Sequence, residues 1–196
     1  IFYFGNCGVM HKMELKLLIA LLLMLFVYGC TDQLEQKTKT ETVKLNQVTT
    51  IGTKIGNIPP DFVVVTTEGK PVRLKDYIDN RQPIIIYFMA TWCPYCAEDY
   101  KQLSKIYRQY ENNISFLSID LDLSEDIIKL QKYKKKYPEL QKTMFAPGQY
   151  QILVDYHATK TTAKYAIGRN GTVIYAGLGV FDEEQWKILL DALKES

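Results

Sequence analysis

Ile84-Ile85-Ile86-Tyr87-Phe88-Met89-Ala90-Thr91-Trp92-Cys93-Pro94-Tyr95-Cys96 is the stretch that decides the fold: a continuous apolar run leading into two cysteines two residues apart. A run of this length without polar interruption suits a strand covered on both faces. Pro94 suits the first turn of a helix, because the amide hydrogen it lacks would be unpaired there anyway. The two cysteines therefore sit at a strand-to-helix junction, the context a redox Cys-x-x-Cys requires. A helix start offers an anionic sulfur a positive dipole and free backbone N–H groups. Cys96, one turn further in, is close enough to close a disulfide with Cys93 or to resolve a mixed one.

Two plainer readings of the motif fare worse. A structural zinc site needs two further ligands, and the other cysteines, Cys7 and Cys30, belong to a different segment. A purely structural disulfide across two residues restrains almost no loop and stabilises little.

Outward from the motif, strands and helices alternate. Phe62–Thr66 and Pro71–Leu74 read as a hairpin with Gly69 at its turn. Tyr100, Leu103, Ile106, Tyr107 and Tyr110 recur at helical spacing, so the helix opened by Pro94 is expected to pack one face on the sheet. A strand at Ile114–Ile119, a helix around Glu125–Tyr137 and a second hairpin follow. That hairpin pairs Tyr165–Ile167 with Thr172–Tyr175 through Arg169-Asn170-Gly171, and Asn-Gly is a strong turn signal. A last amphipathic helix, Asp182–Leu193, carries Trp186, Leu189, Leu190 and Leu193 as its buried stripe. Tyr137–Tyr156 shows no pattern with a chemical reading.

The N-terminal part bears on location. Leu17–Tyr28 is apolar throughout and follows Lys12 and Lys16. Its length suits a signal-peptide core of ~7–15 residues and falls short of the ~20 a spanning helix needs. Val27, Gly29 and Cys30 resemble a bacterial-type lipobox, which implies lipidation of Cys30, although Tyr28 is bulky for its place. An ordinary cleaved signal and a short uncleaved anchor are the alternatives, and under each the folded part is exported. Residues before Met10 or Met13 read as an over-extended start. The expected organisation is a signal peptide over 1–30, a polar tether over 31–53, rich in Thr, Lys, Gln and Glu, and one domain over 54–196. Hydrophobic residues make up 47% of the 196, enough for one sizeable core. The net charge of +2 carries no basic stripe, so nothing calls for nucleic acid. Lys132, Lys134, Lys135 and Lys136 read as a solvated helix face.

Three stretches carry a resemblance that spans roughly Ile55–Ala192: Ile58-Pro59-Pro60-Asp61-Phe62 with the Gly69-Lys70 hairpin, Tyr87 to Cys96, and Ile167 to Tyr175. On these the chain resembles the thioredoxin-like superfamily, specifically the exported TlpA/ResA-type thiol-disulfide oxidoreductases. The resemblance implies an α/β thioredoxin-like fold, a central mixed β-sheet flanked by helices with an N-terminal β-hairpin extension. It also implies a membrane-tethered extracytoplasmic enzyme that needs no cofactor, exchanges disulfides with protein substrates, usually as a reductase and often on apocytochrome c, and draws electrons from a membrane partner. Cys93 would attack the substrate disulfide and Cys96 would resolve the mixed disulfide. Trp92 would be an apolar platform for the docking polypeptide, with Pro94 and Tyr95 tuning the site. Asp99, three residues after Cys96, takes the place of a family glutamate and would hold the proton Cys96 must lose; Glu98 is the solvated alternative. The family's cis-proline falls at Thr162, preceded by Thr161, and a cis bond before a non-proline costs ~3–4 kcal/mol, so a trans bond and a reshaped substrate loop are expected there. Pro147, with Tyr150–Val154 as its strand, is the rival position.

The missing proline opens a second class of function, a Cu(I)-binding or metal-delivery module built on Cys93 and Cys96 with a further soft ligand, for which His157 is the histidine of the mature domain. A peroxidase would need a threonine three residues before the reactive cysteine and a proline before that. Here Thr91 is two ahead and the proline is absent. The direction of electron flow and the substrate are not written in the motif.

Overall fold

The computed structural model describes residues 50–196. The signal peptide, Cys30 and nearly all of the tether lie outside the described residues. Strand β1 (Val63–Val65) pairs antiparallel with β2 (Pro71–Arg73) as the expected hairpin, a separate two-stranded sheet. Gly69 turns it at φ 76°, a left-handed conformation that a side chain would strain. Helix α1 (Leu74–Asp79) leads to β3 (Ile84–Met89).

The motif helix α2 (Pro94–Ser104) is shorter than its apolar stripe. Ile106 breaks from helical geometry and a 3-10 turn over Tyr107–Gln109 follows, yet Tyr100, Leu103, Ile106, Tyr107 and Tyr110 are all buried. The spacing thus identified the buried face correctly and the helix end wrongly, because a tighter turn keeps the same residues facing the sheet. Strand β4 (Ser115–Asp120) comes next, then α3 (Ile127–Lys134), which starts two residues after Glu125 under an Asp126 cap. Tyr137–Tyr156 contains β5 (Met144–Ala146) and α4 (Tyr150–Asp155). The segment after Pro147 is therefore a helix, which removes the rival alignment. β6 (Ala163–Ile167) and β7 (Val173–Gly177) form the second hairpin, β6 beginning two residues earlier than expected. Helix α5 (Glu183–Glu195) closes the fold with a reciprocal Asp182–Gln185 capping box.

The main sheet has the order β5-β4-β3-β6-β7. β3 runs parallel to β4 and antiparallel to β6, so it is the central strand of a mixed sheet. All six of its residues are buried, and they alternate between two cores. Ile85, Tyr87 and Met89 face α2 and α5, where Trp186, Leu190 and Phe116 pack. Ile84, Ile86 and Phe88 face the hairpin and α4. The C-terminal end of β3 delivers Thr91, Trp92 and Cys93 to the tip of α2, and Thr162 lies beside that end, its N–H bonded to the Phe88 carbonyl at 2.8 Å.

Candidate functional site

Cys93 is the N-cap of α2, in extended conformation, with Pro94 directly inside the helix. Its Sγ accepts the backbone N–H of Cys96 at 3.2 Å, where a serine or aspartate oxygen caps other helices. Both cysteines are free thiols, one turn apart at the same helix start. An exposed sulfur at the helix tip is the natural expectation from sequence; in the structure Cys93 is 2% exposed and Cys96 is fully buried. Thr161 accounts for part of the cover: the Cys93 thiol donates to its Oγ1 at 3.1 Å.

Immediately beyond Thr161 lies a cleft of about 810 Å³. Trp92, Tyr95, Thr161, Thr162, Leu178 and Val180 are among the residues that line it. Trp92 and Tyr95 are 64% and 66% exposed, so neither belongs to the core, and Pro94 between them is exposed too. The indole Nε1 donates to Asp122 Oδ2 at 2.9 Å, which fixes the ring over the cleft.

Thr162 lies directly before β6, beside the end of β3. No cis peptide bond occurs among the described residues, and Thr162 instead adopts φ 69°, a costly conformation for a β-branched residue. Its Oγ1 accepts the Gly179 N–H at 3.2 Å, so the turn before β6 and the loop after β7 are tied together at the cleft.

Behind the dithiol, Asp99 is 1% exposed, whereas Glu98 is half-buried and bonded to Gln102 and Lys101 on its own helix. The Asp99 carboxylate accepts from Tyr87 Oη at 2.8 Å, Lys164 Nζ at 2.8 Å and the Phe181 N–H at 2.7 Å. Burial nevertheless outweighs these donors and holds its pKa above the ordinary carboxylate value, while the same burial lowers that of Lys164. Burial, reinforced by Cys93, pushes the Cys96 thiol up to about 12. The Tyr87 hydroxyl, which bonds Asp99, eases that rise at Cys96 as well and so lies near both groups.

Sequence reasoning missed Tyr87, Lys164, Asp120 and Glu125. A lysine inside the otherwise apolar Ala163–Ile167 was the one available signal. Glu125 binds both the backbone N–H and the hydroxyl of Thr91 and so anchors the segment leading to Trp92. Its neighbour Asp120, buried and facing a second carboxyl, is raised to about 7, first by desolvation and then by Glu125. Among the described residues no group of three or more His, Cys, Asp or Glu is placed to hold a metal ion, and His157 lines a different cleft, with Lys54 and Tyr165.

The family model described as AhpC/TSA family matches residues 55–185, well over half of the chain. The chain belongs to that family. This AhpC/TSA member is 27% identical over 135 residues to the thiol-disulfide oxidoreductase ResA of Bacillus anthracis, covering 67% of this chain and 74% of that one. Its fold is that of a secreted Mycobacterium tuberculosis disulfide oxidoreductase homologous to E. coli DsbE, with a TM-score of 0.57, 18% identity and coverage of 67% and 96%. The exposed lipoprotein thioredoxin of Streptococcus pneumoniae matches with the same TM-score at 17% identity, covering 68% of this chain and all of that one. The fold class read from sequence therefore stands, and the ResA relatives it matches are thiol-disulfide oxidoreductases by name.

Proposed function

We propose that this protein is a membrane-tethered, extracytoplasmic thiol-disulfide oxidoreductase that reduces disulfides in protein substrates through Cys93 and Cys96. The carrying observation is a cysteine sulfur at a helix N-cap, bonded to the N–H of its partner cysteine, under one threonine side chain at the edge of an apolar cleft. Rotation of Thr161 opens Cys93 to that cleft. A polypeptide lying on Trp92 and Tyr95 brings its disulfide to Cys93, whose thiolate attacks one sulfur. The substrate S–S bond breaks, a Cys93–substrate disulfide forms, and the other substrate sulfur leaves as thiolate. Cys96 then loses its proton through Tyr87 to Asp99 and attacks Cys93 Sγ. The second substrate thiol is released and the Cys93–Cys96 disulfide remains, which a membrane electron donor re-reduces. Asp99 can serve because a raised pKa suits a carboxylate to taking a proton.

The N-terminal apolar segment and Cys30 support export and lipid anchoring. Hydroperoxide reduction is disfavoured because the Thr91 hydroxyl is engaged by Glu125, away from Cys93. Trapping tests the reading: with Cys96→Ala, a disulfide-bearing polypeptide is expected to stay bound at Cys93 as a mixed disulfide that dithiothreitol releases. Wild-type protein that accelerates insulin reduction no more than Cys93→Ser does would refute the activity. An equilibrium potential far above the glutathione couple would refute the reductive direction.

A further inference from the structure

Lys164 is opposite Tyr87 in the β3–β6 ladder, and its side chain is fully buried. Burying an ammonium demands partners for all three of its N–H donors. Here they come from three different segments. Nζ donates to Asp99 Oδ2 on α2 at 2.8 Å, to the Thr162 carbonyl before β6 at 3.2 Å, and to the Gly179 carbonyl after β7. The rings of Phe181, Tyr87 and Trp186 enclose it at 4.5, 5.2 and 5.3 Å, excluding water. Thr162 and Gly179 both line the cleft beside Cys93, and Thr162 is the residue held at φ 69°. Nothing about sheet formation calls for a lysine there.

We infer that Lys164 is a positioning residue whose ammonium clamps the Thr161–Thr162 turn to the Gly179 loop in the shape that receives the substrate chain, and couples that shape to the charge on Asp99. This rests on the reading of the site as a disulfide exchanger. With Asp99 ionised, the ammonium is shared between carboxylate and carbonyls. Once Asp99 takes the proton from Cys96, the carbonyls hold the ammonium alone. Substrate grip and proton uptake are then two states of one network. The titratable groups facing the pair are Cys96 and Tyr100 of α2, Tyr87 of β3 and Tyr175 of β7.

The test uses the full chain with Lys164→Met, which keeps the stem and removes the charge. Reduction of the Cys93–Cys96 disulfide by dithiothreitol should stay within about twofold of wild type, while KM for insulin turnover rises about tenfold, the size expected from losing hydrogen bonds to a charged group. Wild-type KM should vary with pH as Asp99 ionises, and the variant should lose that dependence. If Lys164→Met does not fold, Asp99→Asn/Lys164→Met removes the whole pair; it should still show the raised KM, whereas Asp99→Asn alone keeps the clamp and holds KM, at every pH, at the value wild type reaches at low pH. An unchanged KM in the folded variants, or equal loss of dithiothreitol and insulin activity, overturns the clamp. Amide exchange at Thr162 and Gly179 gives a readout apart from turnover: it should quicken at least about tenfold in the Lys164→Met variants relative to core amides. Were wild type to turn over no protein disulfide, the functional reading would fall and amide exchange alone would decide the clamp.

Discussion

Replacing Asp99 with asparagine should slow the resolving step and leave the first attack nearly untouched. The magnitude follows from Cys96, whose thiol is raised from 9.0 to about 12. Burial is the largest cause of that rise and persists when Cys93 is held in the mixed disulfide, and each pH unit between the thiol pKa and the medium is a tenfold loss of thiolate, so unaided Cys96 thiolate is scarce at pH 7. A carboxylate that takes the proton as attack proceeds recovers typically about 10²–10⁴ of such a loss. Asp99 accepts from Tyr87 Oη, whose hydroxyl also acts on the Cys96 thiol, and is itself buried beside Lys164, a geometry that asparagine copies in shape without the ability to accept a proton. Resolution in Asp99→Asn should therefore fall about 100-fold at pH 7. The gap should narrow as pH rises toward 10 and hydroxide takes over, so the variant's log rate climbs one unit per pH unit while wild type climbs less steeply. The assay forms the Cys93 mixed disulfide with a fluorescent peptide and follows peptide release by stopped flow between pH 6 and 10. Equal release rates with equal slopes would show that the proton goes elsewhere.

Other outcomes follow from neighbouring groups. Tyr87→Phe keeps the ring packing but removes the hydroxyl that bonds Asp99, and should cost about 1–2 kcal/mol in urea unfolding and slow resolution about as much as Asp99→Asn. Thr161→Ala removes the side chain covering Cys93 and should speed alkylation of Cys93 by iodoacetamide several-fold, with unaltered folding by circular dichroism. Trp92→Ala strips the exposed platform and should raise KM for protein disulfides about tenfold while sparing reduction by dithiothreitol. Asp120 sets a pH dependence of stability. Its folded value near 7 exceeds the 3.8 of an ordinary aspartate, so folding takes up a proton between those limits. The stability it contributes is complete below pH 3.8 and is lost as pH rises through about 7, with a slope up to about 1.4 kcal/mol per pH unit. Asp120→Asn should flatten that slope and raise the urea midpoint at pH 8; a lower midpoint at pH 8 would contradict the assignment.

The parts of the fold legible in sequence are those set by local patterning. β3 announced itself by six apolar residues in a row, all buried, and α5 by a stripe whose four residues are all in the core. α2 was placed by Pro94 and overextended by its stripe, since burial of Ile106, Tyr107 and Tyr110 does not require that the helix continue. β5 and α4 went unread because strands and helices of three and six residues are too short for periodicity to register.

Sequence by itself located the cysteine pair of this protein: Cys-x-x-Cys spacing at a strand-to-helix junction is written in the apolar run Ile84–Met89 and in Pro94. Asp99 could be named from spacing, but its burial could not, because one helix face does not reveal what packs on it. Only tertiary structure brought Tyr87 of β3, Lys164 of β6 and the Gly179–Phe181 loop together around that carboxylate, from three other places in the chain, and only it laid Thr161 over Cys93. Desolvation and charge pairing depend on three-dimensional neighbours rather than on sequence neighbours, so the proton behaviour of the site and the cover over its sulfur were decided by the fold.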